Sequence, residues 1–229
     1  TLSIESDSIG IKSLFWKGEC KRYLGKNNEA SAIYKEFLEK YPNEPLAQEV
    51  QYQLGVVYFK TNTTDLATRY LISANSSDND VIKAKSFAML GEIELNKGNF
   101  KAAKNYFDIV IENKGAEKSV HSRALLGLGI CLYHLNDNKT ALKYLNDLEN
   151  SDPGIETQKL NFFLAENYFA TGDYKNALNN YNNSIGTDQE INSQALYGKA
   201  YSYFNTGDYE NSAVQFASYI KENPKNKRL

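Results

Sequence analysis

Cysteine is scarce in this sequence, with two residues among 229. Cys20 and Cys131 each follow a glycine by two residues, and neither has a second cysteine or a histidine at the spacing of a metal site. This pattern excludes a small fold held together by disulfide bonds. It predicts that both thiols are small buried groups of a hydrophobic core, and that the chain carries no metal and no other cofactor.

Two further absences limit the classes of partner. The chain has 26 Lys and Arg against 28 Asp and Glu, with a formal net charge of −2. It therefore lacks the basic excess that nucleic-acid binding requires. No stretch approaches the roughly 18 consecutive apolar residues of a membrane-spanning helix. We expect neither nucleic-acid binding nor direct insertion into a membrane, and we interpret the start at Thr1 as a processed form or an excerpt.

Catalytic motifs are missing as well. His121 and His134 do not form an HExxH motif, and no phosphate-binding glycine loop occurs. The glycines 127 and 129 lie inside an apolar helical stretch with no strand before them. The sequence therefore predicts that the chain is not an enzyme.

The chain does contain a repeat. A small residue recurs in an apolar helical stretch at intervals of 35 to 38 residues, at Gly18, Gly55, Gly91, Gly129, Ala165 and Ala200. A second small residue follows each by twelve positions, at Ala30, Ala67, Ala103, Ala141, Ala177 and Ser212. Four positions later comes a bulky residue, at Tyr34, Leu71, Phe107, Leu145, Tyr181 and Phe216. The two small residues of a unit are always twelve positions apart, whereas the distance between successive units varies. This indicates two tightly packed helices in each unit, joined to the next pair by a loop of variable length.

Turn signals separate the two helices of each unit. A glycine or asparagine able to adopt a left-handed conformation ends the first helix, at Gly25, Asn62, Gly98, Asn136, Gly172 and Gly207. An Asp or Asn after it can help to start the second helix. Pro42, Pro153 and Pro224 are predicted to stop second helices. Each unit is therefore predicted to be an antiparallel helical hairpin.

These residues resemble the tetratricopeptide repeat, whose signature is W-x2-L-G-x2-Y, then A-x3-F, then P. The segment from Leu54 to Tyr58 with Ala67 is a good copy, as is Leu128-Gly129 with Ala141 and Pro153. The resemblance implies an all-α solenoid, a right-handed superhelix of about six helix pairs. We expect one array over residues 1–229, with repeats at about 11–47, 48–83, 84–121, 122–157, 158–192 and 193–226.

The resemblance also implies a concave groove lined by the first helices, where members of this family hold a segment of another protein. At the positions that line the groove in this family, the sequence has mainly aromatic and acidic residues: Phe15, Glu19, Tyr52, Phe59, Glu92, Tyr133, Phe162, Glu166, Phe169, Tyr197 and Tyr201. Aromatic rings suit an apolar or amphipathic peptide, and the carboxylates would attract a basic one. Two alternatives stay open: the rings pack between adjacent first helices, and the carboxylates lie on solvated faces.

We therefore expect a scaffold that binds a partner protein or peptide in this groove. The alternative is a structural or assembly segment of a longer or self-associating cell-envelope protein, since terminal repeats without caps expose apolar faces. The ends of the second helices, such as residues 37–42, resemble those of bacterial envelope proteins. This similarity favours the bacterial periplasm or envelope over the cytoplasm only weakly, and the compartment stays unknown.

Overall fold

The structure is a computed structural model that describes residues 2–76 and 78–223, with side chains described from residue 9 onward. Twelve helices and no strand occur in these residues. They are α1 (Leu2–Tyr23), α2 (Asn27–Lys40), α3 (Ala47–Lys60), α4 (Thr64–Ala74), α5 (Asp80–Asn96), α6 (Phe100–Glu112), α7 (Lys118–His134), α8 (Asn138–Ser151), α9 (Thr157–Ala170), α10 (Tyr174–Asn183), α11 (Gln189–Asn205) and α12 (Tyr209–Glu222). The predicted class, an all-α solenoid of six helix pairs, is confirmed.

The chain divides into two compact units, Thr1–His121 and Ser122–Leu229, with the boundary inside α7. In the first unit α1 packs on α2, α3 on α4 and α5 on α6, and in the second α9 packs on α10 and α11 on α12. Each hairpin also contacts its neighbour within the unit, through α2 and α3, α4 and α5, α8 and α9, and α10 and α11. The repeats therefore stack in chain order inside each unit, and a single array over the whole chain stays a prediction.

The small residues lie where the two helices of a hairpin approach most closely. A Cβ atom added to Gly18, Gly55 or Gly91 would come within 2.5 to 2.7 Å of the bulky side chain sixteen positions later. Carbon atoms do not approach this closely, so only glycine fits against Tyr34, Leu71 and Phe107 in these conformations. The alanines twelve positions after the glycines are fully buried. This confirms the predicted packing of small against bulky residues.

The turns inside the hairpins adopt the predicted left-handed conformation. The backbone angle φ lies between +56° and +81° at Gly25, Asn62, Gly98, Asn136, Gly172 and Gly207. An aspartate then caps three of the second helices: Asp137, Asp173 and Asp208 each accept a hydrogen bond from a backbone N–H three residues later. Glu156, before α9, is also left-handed at φ +38°, which was not predicted.

The ends of the helices follow the proline positions where these are described. Pro42 and Pro153 come directly after the C-caps of α2 and α8, Tyr41 and Asp152, and Pro224 lies outside the described residues. Of the two thiols, Cys131 is buried as predicted, but Cys20 is exposed, so that prediction was wrong for Cys20. No helix in the described part of the chain is both long and apolar enough to span a membrane.

Candidate functional site

The second unit contains a pocket of about 640 Å³ on the surface formed by α9 to α12. Its wall is made of aromatic and polar side chains together with one glycine: Glu166, Phe169, Tyr181, Gln194, Tyr197, Gly198, Tyr201 and Tyr219. Glu166 is the one charged residue among them. The pocket therefore offers apolar contact area next to a single negative charge.

Glu166 is held in place by two tyrosines from different helices. The Tyr133 hydroxyl donates to Glu166 Oε2 at 2.6 Å, and the Tyr181 hydroxyl donates to Oε1 at 2.7 Å. Burial, reinforced by the charge of Glu166, raises the pKa of both tyrosines above the usual value, so both remain protonated donors. Because both donors are neutral, they orient the carboxylate without neutralising its charge.

An aromatic cluster forms part of the wall. The rings of Tyr197 and Tyr201 lie 4.9 Å apart, and Phe216 contacts Tyr201 edge-on at 5.2 Å. Tyr219 lies 5.2 Å from Tyr197 and is buried, whereas Tyr197 and Tyr201 are 37% and 39% exposed. Tyr197 and Tyr201 are already held by the rings packed against them. They therefore lose little side-chain entropy when a ligand covers their exposed surfaces.

The local sequence explains why these groups meet. Gln194, Tyr197, Gly198 and Tyr201 are spaced by three, one and three residues, which places them on one face of α11. Gly198 lies against the Tyr181 ring, and a Cβ atom there would overlap it. Glycine at this position therefore lets the tyrosine of the preceding hairpin reach Glu166.

The structure brings four of the predicted partner-binding residues into this pocket: Glu166, Phe169, Tyr197 and Tyr201. Tyr133 joins them through its hydrogen bond to Glu166. Phe162, by contrast, is 6% exposed and belongs to the core of the second unit. It supports the wall of the site rather than offering surface to a partner.

The remaining five predicted residues belong to the first unit, where they are mostly engaged in packing. Phe15 and Glu19 are 8% and 5% exposed. Tyr52 and Phe59 are half-buried against the hydrophobic core, and Glu92 is half-buried on α5. A partner role for these five stays a prediction, and Phe15 and Glu19 present little surface for it.

Glu19 has a structural environment that the sequence reading missed. Its carboxylate accepts hydrogen bonds from Arg22 Nε at 3.1 Å and Nη2 at 2.7 Å, and from the Tyr34 hydroxyl. Glu166 and Tyr181 have the same separation of fifteen residues as Glu19 and Tyr34. Both glutamates directly follow the first small residue of their repeat, and both repeats have tyrosine at the bulky position. This combination of Glu and Tyr therefore predicts the hydrogen bond between them.

Four residues of the pocket were not predicted: Tyr181, Gln194, Gly198 and Tyr219. Tyr181 was interpreted only as a bulky packing residue, and Gly198 precedes the small position by two, where no rule of the repeat asks for glycine. The glycine at position 198 was the feature of the sequence that could have predicted space for a side chain of the preceding hairpin. No cluster of three or more His, Cys, Asp or Glu suited to a metal ion occurs in the described residues.

Comparison with known proteins agrees with this architecture. The family model described as "Tetratricopeptide repeat" matches residues 88–154 and 164–227, and the one described as "SusR N-terminal TPR domain" matches residues 6–119. The TPR repeat-containing protein YpiA of Bacillus subtilis is 24% identical over 155 residues, covering 68% of this chain and 34% of YpiA. The chain thus spans about a third of the length of this relative.

Solved structures show the same fold at low sequence identity. PilF of Pseudomonas aeruginosa superimposes with a TM-score of 0.73 at 15% identity, over 96% of this chain and 94% of PilF. YrrB, described as a TPR protein with an unusual peptide-binding site, gives a TM-score of 0.67 at 18% identity, over 84% of this chain and 93% of YrrB. Because the tetratricopeptide model alone matches more than half of the sequence, the chain belongs to the tetratricopeptide repeat family, and it is similar to bacterial members of that family.

Proposed function

We propose that this chain is a protein-interaction module that holds a segment of a partner protein in the pocket of its second unit. Proteins of this fold generally mediate protein–protein interactions, and YrrB is one with a peptide-binding site. The observation that carries the proposal is the oriented carboxylate of Glu166 beside the partly exposed rings of Tyr197 and Tyr201. This combination favours a peptide with an apolar side chain close to a Lys or Arg.

Glu19 and Glu166 occupy equivalent groove positions, but their hydrogen-bond partners differ. The Arg22 guanidinium balances the charge of Glu19, so this carboxylate has no net charge with which to attract a basic partner. Glu166 accepts from two neutral hydroxyls, and a carboxylate has about four acceptor positions, so it can take a further donor. A cationic side chain in the pocket would form a charge-assisted hydrogen bond there.

The volume limits how much of the partner fits. A pocket of about 640 Å³ lies within the range of about 300 to 1,000 Å³ typical of sites for small ligands. It accommodates a few side chains rather than a folded domain. We therefore expect a short linear segment to supply most of the binding energy, with the aromatic rings as the main contacts.

The test starts from peptides selected on the wild-type protein from a random phage-displayed library. Their affinities are then measured by fluorescence anisotropy against Tyr201→Ala and Glu166→Gln. We expect Tyr201→Ala to weaken binding by about tenfold or more. Tyr209→Ala is the matched control, because Tyr209 is an exposed tyrosine of the same unit that lies outside the pocket.

A double-mutant cycle tests the charge. Replacing the selected Lys or Arg of the peptide with norleucine should weaken binding to wild type but not to Glu166→Gln, because the lost interaction is the same one. Equal binding by wild type and Tyr201→Ala would show that the pocket is not the site. Peptides without any basic residue would refute the role of Glu166.

A further inference from the structure

The pocket of the second unit offers a cation much aromatic surface and few strong hydrogen-bond acceptors. Five of its eight lining residues are aromatic: Phe169, Tyr181, Tyr197, Tyr201 and Tyr219. Gln194 and Glu166 also line it, and only Glu166 is charged. In the described part of the chain, Glu166 is bonded by the hydroxyls of Tyr133 and Tyr181, and no Lys or Arg pairs with it. Its charge is therefore available to a ligand.

Three of the rings form a corner of the pocket. The ring of Tyr197 lies 4.9 Å from that of Tyr201, with 62° between the planes, and 5.2 Å from that of Tyr219, with 52° between the planes. Rings inclined in this way face in different directions. A cation is attracted to an aromatic face within about 6 Å of the ring centre. Because the centres lie closer together than this, one cation can be attracted by two rings at once.

Gly198 brings the carboxylate and this corner into one cavity. It lies between Tyr197 and Tyr201 in the sequence of α11, and a Cβ atom there would overlap the ring of Tyr181. Tyr181 uses the space and donates to Glu166 Oε1 at 2.7 Å. A ligand in the pocket therefore meets the negative charge and the rings together.

The number of N–H donors decides which cation fits this environment. An unmodified lysine ammonium has three N–H donors and is strongly hydrated, and an arginine guanidinium has five. Glu166 already accepts two hydrogen bonds, and aromatic faces are weak acceptors. An ammonium with two N-methyl groups keeps its positive charge, retains one N–H donor and presents apolar methyl groups to the rings. It therefore loses less hydration on entering the pocket.

We propose that the basic residue held in this pocket is a lysine with two N-methyl groups, in a segment of a partner protein. This rests on the function proposed above and specifies the chemistry of its ligand. The remaining N–H donates to Glu166, and the methyl groups lie against the rings of Tyr197 and Tyr201. Trimethyllysine keeps the contacts with the rings but has no donor for Glu166, and unmodified lysine has two donors in excess.

One peptide in four states of methylation tests the proposal on the wild-type protein. A peptide selected on this protein, with lysine at its basic position, is resynthesised with zero, one, two or three methyl groups on that lysine. Fluorescence anisotropy should give a Kd for the dimethylated peptide about fivefold below that of the unmodified one. The trimethylated peptide should bind about threefold or more weakly than the dimethylated one, because it lacks the hydrogen bond to Glu166.

Two variants separate the contributions of the ring and the charge. Tyr197→Leu keeps an apolar side chain but removes the ring, so the dimethylated and unmodified peptides should then bind within about twofold of each other. Glu166→Gln removes the charged acceptor, so the dimethylated and trimethylated peptides should bind within about twofold of each other. Tyr209→Leu is the control, because Tyr209 is an exposed tyrosine outside the pocket, and it should keep the wild-type order. Circular dichroism checks that all three variants are folded.

The outcomes for this proposal differ from those for the function on which it rests. If the unmodified peptide binds as tightly as the dimethylated one, while Tyr201→Ala still weakens binding, the methylated ligand is wrong and the pocket remains a peptide site. Equal binding by wild type and Tyr201→Ala would refute the proposed function and this proposal with it.

A free amine separates the head group from the peptide that carries it. N,N-Dimethylbutylamine has the same dimethylated ammonium without a peptide, so it should compete only at concentrations about a hundredfold or more above the Kd of the peptide. Competition at concentrations equal to that Kd would identify a free amine as the ligand and overturn the proposal.

Discussion

Replacing Tyr34 with phenylalanine removes one hydroxyl from the bond network of Glu19 and leaves the rest of the ring in place. Tyr34 is fully buried, and Glu19 is 5% exposed. A hydrogen bond to a charged group contributes about 1.5 to 3 kcal/mol. The loss should lie near the lower end, at about 1 to 2 kcal/mol, because Arg22 still donates to both oxygens of Glu19.

The assay is urea denaturation followed by Trp16 fluorescence, since this single tryptophan lies in the same hairpin as Tyr34. Tyr209→Phe is the control, because Tyr209 is 63% exposed and loss of an exposed hydroxyl should change stability by less than about 0.5 kcal/mol. If Tyr34→Phe proves no more destabilising than this control, Glu19 is not held by Tyr34. Its carboxylate would then again be a candidate for binding a basic partner.

Three further outcomes follow from the packing and the titrating groups. Gly129→Ala should destabilise the chain by about 1 to 3 kcal/mol, because the new Cβ atom would overlap Leu145, whereas Gly154→Ala meets no atom within 4 Å and should change the urea midpoint little. Burial raises the pKa of Tyr181, so above about pH 10 the unfolded chain loses a proton that the folded chain keeps. The free energy of unfolding should therefore fall as pH rises, by up to about 1.4 kcal/mol per pH unit, and urea titrations at several pH values should show a shallower fall for Tyr181→Phe. In dilute native protein, a thiol reagent should modify Cys20 alone, and Cys131 should react only after denaturation; two rapid equivalents would contradict the structure.

The hairpins and their turns could be predicted from the sequence because they depend on local rules. Glycine or alanine at a fixed offset from a bulky residue specifies a close helix pair. Glycine and asparagine, as at Gly25 and Asn62, are residue types that adopt the left-handed conformation. These features recur six times, so each repeat supports the interpretation of the others. That redundancy is why the fold was correct in class and in helix count.

The pocket could be predicted only in part, since it depends on contacts between hairpins. The groove positions of the family identified Tyr197 and Tyr201, but Tyr181 enters the site only because Gly198 leaves room for its ring. Cys20 was assigned to the core because it has no neighbours suited to a metal or redox site, but the structure places it at an exposed position of α1. Neither fact is encoded in the spacing of a single repeat.

The pairing of each glycine with its bulky partner also has a consequence for exchange of repeats between proteins. Gly55 and Leu71 lie on opposite sides of the turn at Asn62. A recombination joint placed in that turn would separate the two, and could bring a β-carbon against a side chain that leaves no room for one. A joint between hairpins keeps the pairs inside each hairpin intact, but it separates Gly198 from Tyr181, which lie in successive hairpins. The smallest segment that can be exchanged is therefore the whole hairpin, and the last two hairpins must be exchanged together.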